Sequence, residues 1–224
     1  MAIATWQDLC IDAVDADRLG RFWAEVLGLT YVPHDDGDAQ LDGPTPEHRV
    51  WINTVPEPVT VKQRVHLDVY ARSVDDVLAL GATPEDLDSF TWKVLRDPEG
   101  GELCVFERDT VADYRLSELG VDSVDPRPVA YWWADVLGAE VVEQEDEGWY
   151  SVRQIPGAPF ESIVFNSVPE PKTVKNRIHW DVQTADLALL TGAGATVLGT
   201  QPRWTVMADP EGNEFCAFLP DPDD

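Results

Sequence analysis

Alternating and helical patterns of apolar residues recur in a fixed order along the chain. In "DLCIDAVD" apolar and polar positions alternate, which predicts a β-strand. In the next segment, "ADRLGRFWAEVLG", four apolar residues from Leu19 to Val26 recur at helical spacing, and Gly28 is placed to end the helix. "LTYV" and "HRVWINTV" then predict further strands. The first block of the chain is therefore a strand, a helix and more strands.

The segments that follow repeat this order of elements. "RVHLDVYA" alternates again and predicts a strand. "SVDDVLALGA" predicts a helix, with Ser73 as its N-cap, Asp76 at the capping-box position and Gly81 as its stop. "TWKVLRDPEGGELCVFE" predicts a hairpin that turns at residues 97–100. Two such blocks fill the first half of the chain.

The second half of the chain repeats the first. "VPEPVTVKQRVHLDV" answers to "VPEPKTVKNRIHWDV", "LGRFWAEVLGLTYV" to "PVAYWWADVLGAEVV", and "WKVLRDPEGGELCVFE" to "WTVMADPEGNEFCAFL". The copies lie 110 to 113 positions apart, and a polar segment separates them. We therefore predict two domains, residues 1–112 and 113–224, with the boundary near Asp113.

Composition narrows the class of protein. The formal net charge of −26 disfavours binding to phosphate backbones, so no nucleic-acid partner is expected. No apolar run is long enough for a membrane span, and the first residues lack the pattern of a secretory signal. The three cysteines are widely spaced and odd in number, which favours a reducing, cytoplasmic location over a disulfide framework.

The duplicated pattern resembles a known superfamily. Repeated β-α-β-β-β modules, "VLG" closing a helix, a histidine on the strand that opens the next module and "DPEGN" in the last hairpin are similar to the vicinal oxygen chelate superfamily. More narrowly, the chain resembles the glyoxalase-like domains common in actinobacteria, the glyoxalase, bleomycin-resistance and dioxygenase group. The resemblance implies an α+β fold of two tandem domains, each a pair of βαβββ modules that form an open, cup-shaped sheet.

The resemblance also implies where metal ligands would lie. The matching positions hold Asp8, Asn53, His66 and Cys104 in the first half, and Glu118, Asn166, His179 and Cys216 in the second. Cysteine stands at two positions where the metal enzymes of the superfamily keep glutamate. An octahedral Ni, Co, Fe or Mn site favours imidazole and carboxylate ligands. We therefore predict no tightly bound transition metal and no other cofactor.

Strand parity groups a set of polar residues on one face. His66 and Asp68 share a face of one strand, Glu102 and Cys104 share a face of another, and the second half repeats them as His179, Asp181, Glu214 and Cys216. Such residues either form a satisfied internal network or line a wet binding cup. A histidine beside a carboxylate can serve as a general base, so His66 with Asp68, and His179 with Asp181, are the catalytic candidates.

Other notable residues have two interpretations. Trp92 and Trp204 recur before the last hairpin, where they can pack in the core or stack on a flat ligand. The basic pairs Lys62/Arg64 and Lys175/Arg177 can pair with acids of the facing module or form a cationic rim. The cysteines behave by default as small buried apolar residues.

Three functions remain open from these residues. The first is an enzyme of the glyoxalase-like group, a lyase, isomerase or oxygenase acting on a small organic molecule. The second is a metal-free protein that binds or sequesters a drug-like compound, as bleomycin-resistance proteins do. The third is a structural domain. The expected partner is a small-molecule ligand, and the chain is expected to be a monomer of two tandem domains or a homodimer.

Overall fold

The computed structural model describes residues 2–220, and it divides each half of the chain into two βαβββ modules. Modules one and two comprise β1 (Thr5–Ala13), α1 (Ala16–Leu27), β2 (Thr30–Pro33), β3 (Ala39–Asp42), β4 (Val50–Thr54), β5 (Val65–Ala71), α2 (Val74–Ala79), β6 (Thr83–Asp86), β7 (Lys93–Arg96) and β8 (Glu102–Glu107). Modules three and four comprise β9 (Leu116–Ser123), α3 (Pro126–Leu137), β10 (Glu140–Gln144), β11 (Trp149–Arg153), β12 (Ser162–Ser167), β13 (Ile178–Gln183), α4 (Leu187–Gly192), β14 (Thr196–Thr200), β15 (Thr205–Ala208) and β16 (Glu214–Phe218). The predicted α+β class and the order of elements are confirmed.

The modules pair across the halves of the chain. One eight-stranded sheet has the order β14-β15-β16-β13-β1-β4-β3-β2, so it joins modules one and four; we call it the 1–4 sheet. The other has the order β10-β11-β12-β9-β5-β8-β7-β6 and joins modules two and three; we call it the 2–3 sheet. The expectation that the two modules of one half share a sheet is therefore wrong, although residues 1–112 and 113–224 remain the units of sequence repetition.

Two antiparallel strand pairs form the seams between the halves. In the 1–4 sheet β1 pairs with β13, and Asp8 lies opposite Asp181. In the 2–3 sheet β5 pairs with β9, and Asp68 lies opposite Glu118. Each opening strand has a free edge that needs a partner. The first strand of a module from the other half satisfies it in both sheets.

The ends of the helices follow the sequence signals. Gly28 ends α1 in the left-handed conformation, with φ of 74°, and its amide donates to the carbonyl of Ala24. Ser73 caps α2 by accepting from the amide of Asp75 at 3.1 Å. The tryptophans of the two long helices, Trp23 and Trp133, are completely buried and anchor them to the core.

The repeated "DPEG" turn connects the two sheets. Glu99, in the turn between β7 and β8, accepts from the amides of Val14 and Asp15 at the start of α1. Glu211 makes the matching contact with the amide of Val124 before α3. A carboxylate is favourable at a helix N-terminus because it satisfies amides that have no partner inside the helix. The two modules of one half are thus joined through this turn and not through a shared sheet.

Candidate functional site

The concave face of the 2–3 sheet encloses a cavity of about 980 Å³. Strands β5, β8 and β9 form its floor, and β7, β11 and β12 contribute its walls. We call this cavity the open cup. Its volume is in the range of small-molecule sites in proteins.

Seven of the residues singled out from the sequence line the open cup: His66, Asp68, Trp92, Glu102, Cys104, Glu118 and Asn166. Their grouping differs from the expectation in one respect. Glu118 and Asn166 come from the second half and join His66, whereas Asp8 and Asn53 lie in the 1–4 sheet with His179. The expected cup of Asp8, Asn53, His66 and Cys104 is therefore wrong, because β1 pairs with β13 and not with β5.

His66 is the centre of a buried cluster on the floor of the open cup. Its Nε2 lies 3.2 Å from Oδ1 of Asp68, and both side chains are about nine-tenths buried. The ligand atoms of His66, Asp68 and Cys104 all lie within 4.8 Å of one another. Opposite His66 stands Gly120, where a Cβ atom would lie 2.2 Å from Nε2. The ring therefore occupies space that any other residue at position 120 would fill.

The charges around His66 favour its protonated form. Burial alone would lower the pKa of His66, but the Asp68 carboxylate and the neighbouring Cys104 raise it well above its usual value. Burial raises the pKa of the Cys104 thiol, with His66 opposing the shift. Burial also raises the pKa of Glu118, which accepts a hydrogen bond from Ser162. The raised pKa of His66 favours the imidazolium form beside Asp68, so the cluster supports His66 as a proton donor more than as the general base that the sequence suggested.

An ion-paired rim adjoins this cluster. Lys62 Nζ lies 2.8 Å from Oδ2 of Asp122 and 3.9 Å from Oε1 of Glu102. In the other sheet Lys175 pairs with Asp12 in the same way. These two lysines thus pair with acids of a module from the other half, and Arg177 pairs with Glu99, whereas Arg64 donates to the backbone carbonyl of Glu170. The signal for Asp122 was available in the sequence, because it shares strand parity with Glu118.

Aromatic rings cover one wall of the open cup. Trp92 stacks between Phe90, at 4.7 Å between centroids, and Phe106, at 5.6 Å. Trp149 contributes to the opposite side, where its Nε1 donates to Glu147. Phe106 shares parity with Cys104 and could have been found from the sequence, whereas Phe90 lies in an irregular loop that carries no periodic signal.

Larger side chains occupy the corresponding face of the 1–4 sheet. Trp51 stands where the open cup has Val164, and its Nε1 reaches across the floor to Oδ2 of Asp8 at 3.1 Å. Lys172, which corresponds to Val59 of the first copy, places Nζ 2.7 Å from Oε1 of Glu214. We call this face the filled cup.

The filled cup contains its own buried cluster. Cys10 stands where the open cup has Gly120, and its Sγ donates to Oδ2 of Asp181 at 3.6 Å. Cys216 Sγ lies 3.6 Å from Nε2 of His179. Burial and the facing Asp8 carboxylate raise the pKa of Asp181 well above its usual value. Asp181 therefore gives little support to a charged His179. Asn53 lies opposite Asp12 in the pairing of β4 with β1, and Trp204 is 37% exposed and stacks on Phe218.

The two histidines should have opposite effects on stability as pH changes. Burial lowers the pKa of His179 to about 4, with Asp12 and Glu214 opposing the shift and Lys175 reinforcing it. Between about pH 6.5 and 4 the unfolded chain binds a proton that the folded chain excludes, so acidification should destabilise the fold by roughly 3 kcal/mol through this group. We expect His179→Gln to lose less stability than the wild type between pH 7 and 4, as measured by urea unfolding.

His66→Gln is the control for this measurement. Because the pKa of His66 is raised, its stabilising contribution is complete below about pH 6.5 and is lost as pH rises through the folded pKa. Removing it should flatten the alkaline side of the stability profile and leave the acid side unchanged. If the wild type and His179→Gln lose the same stability between pH 7 and 4, the lowered pKa of His179 is contradicted.

The donor sets of the two cups do not fit the metal site that this fold implies. The open cup offers one imidazole, a thiol and carboxylates, and the raised pKa values of His66 and Cys104 favour the protonated form of both donors. The filled cup offers two thiols, and burial raises the pKa of Cys10 far above its usual value. Thiols suit softer zinc better than an octahedral metal, and then only as thiolates.

The family follows from sequence and fold together. The family model of the glyoxalase-like domain matches the chain twice, at residues 8–106 and 118–218. The chain belongs to the glyoxalase-like domain family, in two repeats. A comparison with curated proteins found no match.

Solved structures share this fold at low sequence identity. Glyoxalase I from Zea mays superposes with a TM-score of 0.64 at 13% identity, over 96% of this chain and 92% of that one. The cppA protein from Streptococcus pneumoniae superposes with a TM-score of 0.51 at 10% identity, over 96% of this chain and 99% of that one. Such similarity supports the vicinal oxygen chelate fold. None of the helices between residues 2 and 220 combines the length and the apolar character that crossing a membrane requires.

Proposed function

We propose that the protein binds a small organic molecule in the open cup, and that the filled cup serves the fold. The main support for this proposal is that side chains fill the equivalent faces of the 1–4 sheet and the 2–3 sheet to different extents. Trp51 reaches over the floor of one face to Asp8, while Val164 occupies the matching position of the other face and lines its cavity. A cavity of about 980 Å³ lies over the second face.

We propose further that binding in the open cup needs no metal ion. The support is the chemistry of the donors, since His66 and Cys104 would both have to release a proton before they could bind a cation. The buried, unbridged thiols are in keeping with a reducing, cytoplasmic setting. A protein that holds its ligand without a metal is the simplest function consistent with this cup, as in drug-binding members of the superfamily.

Proton transfer to the bound molecule is the second candidate function. The specific support is the contact of 3.2 Å between His66 Nε2 and Asp68 Oδ1 on the floor of the cavity. A protonated imidazole oriented by a carboxylate can donate to a developing negative charge, as a lyase or isomerase requires. The filled cup lacks this pair in active form, because its histidine is neutral and Nε2 lies 3.7 Å from Oδ1 of Asp181.

Exchanging the residues that distinguish the cups tests the site. A library of neutral, anionic and cationic aromatic compounds would be screened by ligand-observed NMR against chelator-treated wild type, Val164→Trp and Trp51→Val. We expect compounds that bind the wild type to lose binding to Val164→Trp, because the indole should cover the floor as Trp51 does. Trp51→Val is the control and should retain binding. Circular dichroism and thermal unfolding check that each variant is folded.

Two results would contradict the proposal. If the same compounds bind wild type and folded Val164→Trp equally, the open cup is not the binding site. If treatment with chelator abolishes binding and a divalent ion restores it, the metal-free mode is wrong.

A further inference from the structure

We propose that the ligand of the open cup is a flat organic cation. This inference rests on the proposed function, because it names the chemical class of molecule that the same cup accepts. It follows from two features of the cavity: its charge and its aromatic wall.

The lining of the open cup is strongly acidic. Seven carboxylates line it, and the only basic residues in the lining are Lys62, Arg153 and His66. Lys62 already spans Asp122 and Glu102, and His66 faces Asp68. Glu85 pairs with Arg96, which lies outside the lining. The remaining carboxylates leave a net negative potential inside a concave, partly desolvated space, which attracts cations and repels anions.

Two buried polar atoms on the cup floor lack partners within the described part of the chain. They are Oδ1 of Asp68 and Nδ1 of His66, and both residues are only 7% exposed. The contact between His66 Nε2 and this Asp68 oxygen has an ion-pair distance but lacks hydrogen-bond geometry. Both atoms are covered by protein, so Asp68 acts on a ligand in the cavity through its charge and not through direct contact.

The aromatic wall supplies the second half of the recognition. The planes of Phe90 and Trp92 are 10° apart, and those of Trp92 and Phe106 are 25° apart, so the three rings form one stacked surface. Phe90 is 47% exposed and extends this surface towards solvent. Aromatic faces bind flat rings and attract cations through their π electrons.

These features do not follow from the acidic composition of the whole chain, because the filled cup lacks them. The positions that correspond to Glu85 and Asp86 in the strand register hold Leu198 and Gly199, and Pro202 precedes Trp204 by two residues as Phe90 precedes Trp92. Acidic residues and the third aromatic ring are thus specific to the repeat that keeps its cavity. Together they define a binding site with an aromatic wall and a negative floor.

A set of three flat probes that differ in charge tests the inference. The probes are the N-methylquinolinium cation, neutral quinoline and the 2-naphthoate anion, titrated into the wild type by tryptophan fluorescence and calorimetry. We expect the cation to bind at least about tenfold more tightly than quinoline, and the anion not to bind. Raising the salt concentration to about 0.5 M should weaken the binding of the cation and leave the binding of quinoline unchanged.

A matched pair of variants locates the effect. Trp92→Leu should lower the affinity for the cation by roughly fivefold to tenfold. Trp204→Leu, the same substitution in the filled cup, should leave it unchanged. If quinoline or naphthoate binds as tightly as the cation, or if no probe binds, the inference is overturned. The proposed function survives that result when the library screen still finds compounds that Val164→Trp excludes, and it fails separately when the screen finds none.

Discussion

Expressed alone, neither residues 1–112 nor residues 113–224 should fold as a stable monomer. Each half contains two four-stranded half-sheets, and each half-sheet ends at an opening strand whose partner belongs to the other half. Separation would expose the edges of β1, β5, β9 and β13 together with the apolar faces behind them. Unpaired edge strands of this length favour aggregation or pairing with another chain.

Co-expression is the matched experiment. The two halves should copurify as an equimolar complex with the circular dichroism and cooperative unfolding of the intact chain. One half alone should be insoluble, unfolded or assembled into a dimer that replaces the missing partner, which size-exclusion chromatography with light scattering would show. A monomeric half that unfolds cooperatively would refute the crossed pairing of modules.

His66→Gln should abolish most of any turnover that the open cup supports, while His179→Gln should not. Proton transfer by a positioned imidazole contributes roughly 10²–10⁴ in rate, and glutamine keeps polarity and approximate size without the titrating proton. The difference between the two variants is expected because only His66 faces a cavity as an imidazolium beside a carboxylate. His179 is neutral and covered.

The measurement is the rate of conversion of compounds that bind the open cup, followed by NMR for the wild type and both variants. The pH profile of the wild type should fall on the alkaline side as His66 loses its proton, and His66→Gln should lose that limb. Comparable loss of thermal stability in both variants, with binding and conversion unchanged in either, would make the histidines structural residues only.

Local features of the fold could be predicted because they depend on neighbouring residues. Gly28 and Ser73 mark helix ends through backbone chemistry that acts within a few positions. Strand parity likewise placed His66 with Asp68, and Cys104 beside them on the neighbouring strand. The pairing of modules could not be predicted in this way. All four modules carry similar patterns, so β5 is as suited to β1 as to β9 until the whole chain is folded.

The difference between the cups was equally hidden in the sequence. Gly120 and Cys10 occupy the same place in the two repeats, but the importance of a missing side chain appears only when the ring of His66 is placed over it. The charge state of His66 was also beyond the sequence, since it depends on how closely Asp68 and Cys104 approach in space. The residue types indicated which side chains could form the site. The distances between their atoms in the folded structure determine how these side chains interact.

The unequal filling of the cups also determines how much sequence change each face can absorb. On the face covered by Trp51, the effect of a substitution depends mainly on how well the new side chain packs. Substitutions of similar volume should therefore be tolerated there. On the face that keeps its hollow, the same kind of exchange alters shape and charge where another molecule must fit. Positions 51 and 164 hold the same place in the two copies, yet their mutational tolerance should obey different rules. The filled cup therefore serves as an internal control. The difference in mutational tolerance between the two cups shows which constraints in the open cup come from ligand binding and not from folding.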